Sequence, residues 1–84
     1  MATILYFAWV RDAVGSGEEV IDIPNDVMTI GDLAAFLSTR SEGHARAFAD
    51  PQRIRAAVDL AMVGFDGSVV SAKEIAFFPP VTGG

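Results

Sequence analysis

The C-terminal stretch constrains the fold of this chain most strongly. An apolar run, Ile75-Ala76-Phe77-Phe78, leads directly into Pro79-Pro80-Val81-Thr82-Gly83-Gly84. Aromatic and β-branched residues in such a run predict a buried strand. Two consecutive prolines fix φ and donate no backbone hydrogen bond, so the chain must leave a sheet at that point. We therefore predict a folded domain of residues 1–78 and a flexible C-terminal tail of residues 79–84.

The tail combines a stiff stem with a thin tip. Pro79 and Pro80 favour an extended polyproline conformation. Gly83 and Gly84 have no Cβ, so their backbone can pass through a channel that a side chain would block. Glycine-rich chain ends are often simply frayed, but fraying requires no stem. The stem therefore favours a functional tail, with Val81 and Thr82 linking it to the two glycines.

Composition indicates one small folded domain. The chain has 84 residues and 51% of them are hydrophobic, which is enough for one core and excludes a disordered polar chain. Six basic residues against eleven acidic ones give a net charge of −5, so no nucleic-acid partner is expected. The apolar run at residues 4–10 is too short for a membrane span and lacks a signal-peptide pattern. We expect a soluble cytoplasmic protein that has no membrane partner.

The order of predicted elements is ββα(α)βββ, an α+β class with a mixed sheet packed on one main helix. Thr29 and Asp32 have the spacing of a capping box, and the following apolar residues recur at helical intervals. The predicted elements are strands at 3–9, 18–23, 54–58, 61–63 and 74–78, one helical turn at 10–14, a main helix at about 30–40 and a short helix at 44–49.

One face of the predicted sheet is a candidate partner surface. Alternation along the first strand turns Ile4, Tyr6 and Ala8 inward, and leaves Leu5 and Phe7 on the outer face. Phe77 and Phe78 are adjacent, so only one can enter the core, and we assign Phe78 and Met62 to the outer face as well. A large exposed apolar patch usually marks a partner site. The alternative is that a helix or loop covers this face.

No assembled active site is visible in the sequence. There is no cysteine, and the single histidine, His44, has no neighbouring His or Cys ligand, so no metal is expected. His44 lies in a polar stretch and is therefore predicted to lie on the surface. Glu18 and Glu19 are adjacent in a strand and point to opposite faces, so they cannot form one acid–base site. We expect no cofactor, and a chain that does not turn over a substrate alone.

The C-terminus, residues 76–84, resembles that of the molybdopterin synthase small subunits, the MoaD-type sulfur carriers. The start, Phe7-Ala8-x-Val10-Arg11-Asp12-x-Val14-Gly15, is similar to the start of that family, as are Ala56-Ala57-Val58-Asp59 and the following Val63 and Phe65-Asp66. The resemblance covers essentially the whole chain. It implies the β-grasp, or ubiquitin-like, fold, in which the first and last strands are central and parallel.

The resemblance also implies a chemistry for the tail. An ATP-dependent adenylating enzyme would activate the carboxylate of Gly84, and a sulfur donor would convert it to a thiocarboxylate, with Gly83 as its threading neighbour. The tail would then deliver sulfur to the cyclic pyranopterin precursor in the large subunit, within a heterotetramer of two small and two large subunits. Matched by position, Phe7, Arg11, Met62 and Phe78 would contact the large subunit or the adenylating enzyme. Arg11 is equally compatible with an ordinary solvated charge.

Three other functions remain open on the sequence. The first is sulfur delivery to the thiazole of thiamin, in a family that typically lacks the Phe-Phe-Pro-Pro stem. The second is a ubiquitin-like modifier that becomes joined to lysine through Gly84. The third is a binding module whose tail is idle, in which case deletion of Gly83 and Gly84 would leave function intact.

Overall fold

The computed structural model describes residues 1–80, and Val81, Thr82, Gly83 and Gly84 lie outside the described part. Within residues 1–80 the chain forms five strands, three α-helices and one short 3₁₀ helix. In chain order these are β1 (Ala2–Tyr6), α1 (Ala8–Val14), β2 (Glu18–Ile21), α2 (Ile30–Ser38), α3 (Glu42–Ala47), the 3₁₀ helix (Pro51–Arg53), β3 (Arg55–Val58), β4 (Ala61–Val63) and β5 (Glu74–Phe78).

The five strands form one mixed sheet in the order β2-β1-β5-β3-β4. The first and last strands are adjacent, central and parallel, with Tyr6 opposite Phe77, and the other three pairings are antiparallel. This is the β-grasp arrangement, so the α+β class and the ubiquitin-like fold are confirmed. Because β1 and β5 run parallel, the end of β1 and the root of the tail lie at the same end of the sheet.

Helix α2 packs on one face of the sheet. It begins with the predicted capping box: Thr29 Oγ1 accepts from the Asp32 N–H, and Asp32 Oδ2 accepts from the Thr29 N–H. Such a cap typically contributes about 1 kcal/mol to stability. Its apolar stripe, Ile30, Leu33 and Leu37, is fully buried. These side chains join the inward residues of the central strands in a single core that also contains Val10, Ile21, Phe48, Ile54 and Val69.

The prediction that β1 continues to Trp9 is wrong. The strand ends at Tyr6, because Ala8 adopts a φ of +53° and turns the chain into α1. The carbonyl of Phe7 then accepts from the N–H groups of Val10 and Arg11, which starts the helix. Ala8 is therefore exposed rather than inward-facing. The helix ends at Gly15, whose φ of +91° is the left-handed conformation that glycine adopts without strain.

His44 also departs from its prediction: it is buried, with 6% of its surface exposed. Its Nε2 lies 2.7 Å from Glu19 Oε1 and its Nδ1 lies 2.7 Å from Ser41 Oγ. Tyr6 donates from its hydroxyl to the same Glu19 oxygen at 2.8 Å. His44 and Tyr6 lie 25 and 13 residues from Glu19 in the sequence, so the local sequence pattern could not reveal these hydrogen bonds. The side chains tie α3 to β1 and to the edge strand β2.

Candidate functional site

The face of the sheet opposite α2 carries a row of apolar side chains. Pairing places Leu5 beside Ala76, Ala76 beside Ala57, and Ala57 beside Met62. We call this surface the open face; its other members are Thr3, Glu18, Val20, Arg55, Glu74 and Phe78. Met62 is 65% exposed, and the side chains of Leu5, Ala57, Ala76 and Phe78 are half-buried. The prediction that Leu5, Met62 and Phe78 face outward is confirmed.

Phe7 extends the open face at the end of the sheet from which the tail leaves. It follows Tyr6, its N–H donates to the Phe77 carbonyl at 3.1 Å, and its side chain is 47% exposed. Its backbone is the N-cap of α1, where its side chain makes no capping hydrogen bond. About half of the surface of Phe7 is therefore open to a partner at this end of the sheet.

Arg11 lies on α1 rather than on the sheet. Its N–H donates to the Phe7 carbonyl, one helical turn away, and its side chain is exposed and passes close to Gly17. The structure thus brings Phe7, Phe78 and Met62 to one surface and leaves Arg11 at its margin. Sequence reasoning missed Arg55, which pairs directly with Phe78 and whose Nη1 donates to the carbonyls of Gln52 and Ile54.

The root of the tail is anchored by the core. Phe77 is fully buried, stacks on Tyr6 with ring centroids 6.4 Å apart, and meets Phe48 edge-on at 4.9 Å. Beside this end of the sheet, the guanidinium of Arg53 lies 4.8 Å above the ring of Trp9. Pro79 and Pro80 are half-buried as the chain leaves β5. The predicted roles of Val81, Thr82, Gly83 and Gly84 fall outside the described residues.

Glu19, Tyr6 and His44 form the main buried polar network. Partial burial raises the pKa of the Glu19 carboxyl, but hydrogen bonds from His44 and Tyr6, with the nearby Arg40, outweigh it and hold the pKa below its usual range. Burial raises the pKa of Tyr6, and the Glu19 carboxylate raises it further. Each of the three side chains is hydrogen-bonded to another member of the network, so we interpret the network as structural rather than catalytic. Glu18 pairs with Leu5 on the open face, which confirms that the two adjacent glutamates do not share a site.

Neither a metal site nor an enzyme-like cleft emerges from the described residues. No cluster of three or more potential ligands occurs in residues 1–80. A shallow pocket of about 210 Å³ lies near the start of β1, and Asp22 is its one charged lining residue. In the same part of the chain, none of the helices has the length and apolarity needed to span a bilayer.

Comparison with known proteins gives full-length matches. The family model described as the ThiS family matches residues 4–84. The molybdopterin synthase sulfur carrier subunit of Escherichia coli (strain K12) is 37% identical, and that of Haemophilus influenzae is 30% identical, each over 100% of both chains. A solved structure titled putative molybdopterin converting factor, subunit 1, from Pyrococcus furiosus has a TM-score of 0.71 at 24% identity, and covers 95% of this chain and 97% of its own.

Proposed function

The chain belongs to the ThiS family, and from that premise we propose that it is a sulfur carrier that serves as the small subunit of a molybdopterin synthase. The observation that carries the proposal is the end-to-end match to two proteins of that name. The fold supports it, because β5, which lies parallel to β1 in the middle of the sheet, ends at Phe78. The sequence Pro-Pro-Val-Thr-Gly-Gly follows directly.

The C-terminal carboxylate of Gly84 is the proposed sulfur carrier. A carboxylate is a poor electrophile, so an adenylating enzyme first joins it to AMP from ATP and releases pyrophosphate. Hydrosulfide released by a sulfur donor then attacks the acyl carbon and displaces AMP, and loss of the S–H proton leaves a thiocarboxylate. Gly83 allows the tail to thread, and Pro79, Pro80, Val81 and Thr82 give it reach. With no cysteine in the chain, no internal thiol competes for the activated carbonyl.

The open face is the proposed docking surface for the large subunit. Phe7, Phe78 and Met62 supply apolar side chains, and anchors of this type dominate binding energy in protein interfaces. Arg11 at the margin supplies a positive charge, which would face an acidic group at the corresponding edge of the partner and steer association there. An acidic chain of net charge −5 is suited to a basic partner surface, on which sulfur transfer to the pyranopterin precursor would take place.

The catalytic side chains are proposed to lie on the large subunit. Within residues 1–80, Ser41 Oγ lies 2.7 Å from His44 Nδ1, but His44 is buried and its Nε2 is bound to Glu19, so we assign this contact to the packing of α3 rather than to catalysis. The chain would thus donate sulfur without catalysing its transfer, in a heterotetramer of two small and two large subunits. Because the activation step consumes ATP, we place the protein in the cytoplasm.

Reconstitution tests this assignment against sulfur delivery to thiazole. The thiocarboxylated chain is mixed with purified large subunit and cyclic pyranopterin precursor, and the dithiolene product is measured against the loss of sulfur from Gly84. We expect one sulfur transferred per carrier and none from a chain that lacks Gly84. Transfer of sulfur to a thiazole-forming enzyme but not to the large subunit would contradict the assignment.

A further inference from the structure

Leu60 is an exposed apolar side chain held in an unfavourable backbone conformation. It forms, with Asp59, the two-residue turn between β3 and β4, and φ is +47° at Asp59 and +76° at Leu60. Positive φ at both turn residues is the type I′ geometry, for which Asn-Gly and Asp-Gly are the preferred pairs. Leucine at the second position strains the backbone. Its side chain is also 89% exposed, so it contributes little to the core.

The turn that presents Leu60 is braced by the start of β5. Asp59 Oδ1 accepts from the N–H groups of Lys73, at 3.1 Å, and Glu74, at 2.9 Å. The Asp59 N–H donates in return to the Glu74 carbonyl at 2.8 Å. Because the backbone of the turn is fixed in the free chain, Leu60 loses little backbone freedom on binding. Such preorganisation favours a contact residue.

Leu60 is continuous with the open face. Leu60 lies two residues before Met62, and Met62 pairs with Ala57 in the middle of that face. Leu60 and Glu74 line one shallow depression, and Glu74 pairs with Thr3 on the open face. The hairpin tip therefore forms the rim of the open face at the end opposite the tail.

The size of the sheet indicates that a stable subunit interface must extend to its rims. Five short strands give a sheet roughly 20 Å wide and roughly 17 Å long, on the order of 350 Å² in projection. A standard stable interface buries about 800 Å² on each partner. A subunit that docks on this face would therefore draw the rest of its contact area from the tail and from side chains at the rims of the sheet. At the far rim, Leu60 is the most exposed large apolar residue, at 89%, and Met1, 83% exposed, precedes β1 at the same end.

We propose that Leu60 is an anchor for the large subunit at the far rim of the open face, an inference that rests on the proposed function. Its side chain fills an apolar recess on that subunit, and the contact offsets the strain of the turn. Sulfur transfer then depends on two separated attachments, the tail with Phe78 at one end of the sheet and the hairpin tip at the other.

The test compares Leu60→Asn with wild type, because asparagine tolerates positive φ and lacks the apolar side chain. Binding of purified large subunit is measured by calorimetry, and stability of the free chain by urea unfolding. We expect the Kd to rise at least tenfold while the free chain is as stable as wild type or more stable. Leu60→Gly, which relieves the strain completely, should behave in the same way. Met28→Asn is the matched control, since Met28 is an exposed apolar residue that precedes α2 on the other side of the sheet.

The outcomes are distinguishable. Wild-type affinity in both Leu60 variants would overturn the Leu60 proposal and leave the proposed function intact. Loss of affinity for the adenylating enzyme alone, or a change only in self-association by sedimentation, would assign Leu60 to another occupant and also overturn it. If wild type itself does not bind the large subunit, the proposed function fails together with this inference.

Discussion

Phe77 and Phe78 are adjacent in β5 and face opposite sides of the sheet. Phe77 is fully buried against Tyr6 and Phe48, whereas Phe78 lies on the open face beside Arg55. One strand thus anchors the root of the tail in the core and places an aromatic ring on the open face, the proposed docking surface. The two side chains have the same volume and different surroundings, which allows folding and docking to be separated by experiment.

Phe78→Ala should weaken docking much more than folding. We expect large-subunit affinity to fall at least tenfold, because a half-buried ring on an apolar face is a typical anchor. The free energy of unfolding should fall by no more than about 1.5 kcal/mol, since Phe78 is only partly buried and lies outside the core cluster. Calorimetry with the large subunit and urea unfolding of the free chain give the two values.

Phe77→Ala provides the matched comparison. It should lower the free energy of unfolding by about 3–5 kcal/mol, because it leaves a cavity among Tyr6 and Phe48. If Phe78→Ala is as destabilising as Phe77→Ala, Phe78 is a core residue and the open face loses its central anchor.

The margin of the open face makes a separate, electrostatic prediction. Arg11→Glu should lower the association rate with the large subunit about 3- to 10-fold at low salt and less at high salt, because rim charges act mainly by steering. Arg46→Glu on α3, which is also exposed, changes the net charge equally and is the control. Equal effects of the two substitutions, measured by stopped flow, would show that only net charge matters and that Arg11 has no special position.

The contact between α1 and α3 depends on Gly43. A Cβ placed at Gly43 would clash with the Ala13 carbonyl oxygen, so alanine forces the two helices apart. Gly43→Ala should lower the free energy of unfolding by roughly 2 kcal/mol or more, in the range of overpacked core variants. Gly31→Ala in α2 is the control, because its Cβ meets nothing closer than 3.4 Å. It should be neutral or stabilising, as glycine-to-alanine changes in helices usually are. A neutral Gly43→Ala in thermal unfolding would contradict this packing.

The Glu19 network predicts a specific acid sensitivity. Because the folded state lowers the pKa of Glu19, its contribution to stability is complete above the usual glutamate value, about 4.3, and is lost as the pH falls through the lower folded value. Urea unfolding between pH 6 and 3 should therefore show wild type losing stability more steeply than Glu19→Gln. The Tyr6 and His44 hydrogen bonds, with Arg40, are the groups that face this carboxyl.

The neighbouring glutamate is the control for that experiment. Glu18 is exposed on the open face, so Glu18→Gln should preserve the wild-type slope. Identical acid slopes in wild type and Glu19→Gln would mean that the network is not formed in solution.

The same network predicts a loss of stability at alkaline pH. Burial and Glu19 raise the pKa of Tyr6, so stability should fall as the pH rises above about 10 and should fall less in Tyr6→Phe.

Features with a local physical cause were predictable from the sequence. The Thr29 capping box, the apolar stripe of α2 and the limits of β5 each depend on residues a few positions apart. The outer position of Phe78 also followed, because adjacent strand residues must face opposite sides. The central, parallel arrangement of β1 and β5 was implied by the family resemblance rather than by pattern.

Features that depend on distant residues or on strained backbone were not predictable. Ala8 is an ordinary residue in sequence, and only its φ of +53°, two residues after Tyr6, turns the chain so that β1 ends at Tyr6. His44 was assigned to the surface because its partner Glu19 lies 25 residues away. The role of Leu60 was not predicted, because the sequence does not show that this leucine adopts the positive φ that glycine usually provides in such a turn.

The central claim is that Gly84 carries sulfur, and intact mass spectrometry tests it most directly. The chain is incubated with ATP, the adenylating enzyme and a sulfur donor, beside a variant that lacks Gly84. We predict a mass gain that corresponds to the replacement of one oxygen by one sulfur. The gain should occur in the full chain but not in the variant, and only when ATP is present. An unchanged mass, with an adenylating enzyme shown to be active on another carrier, would contradict it.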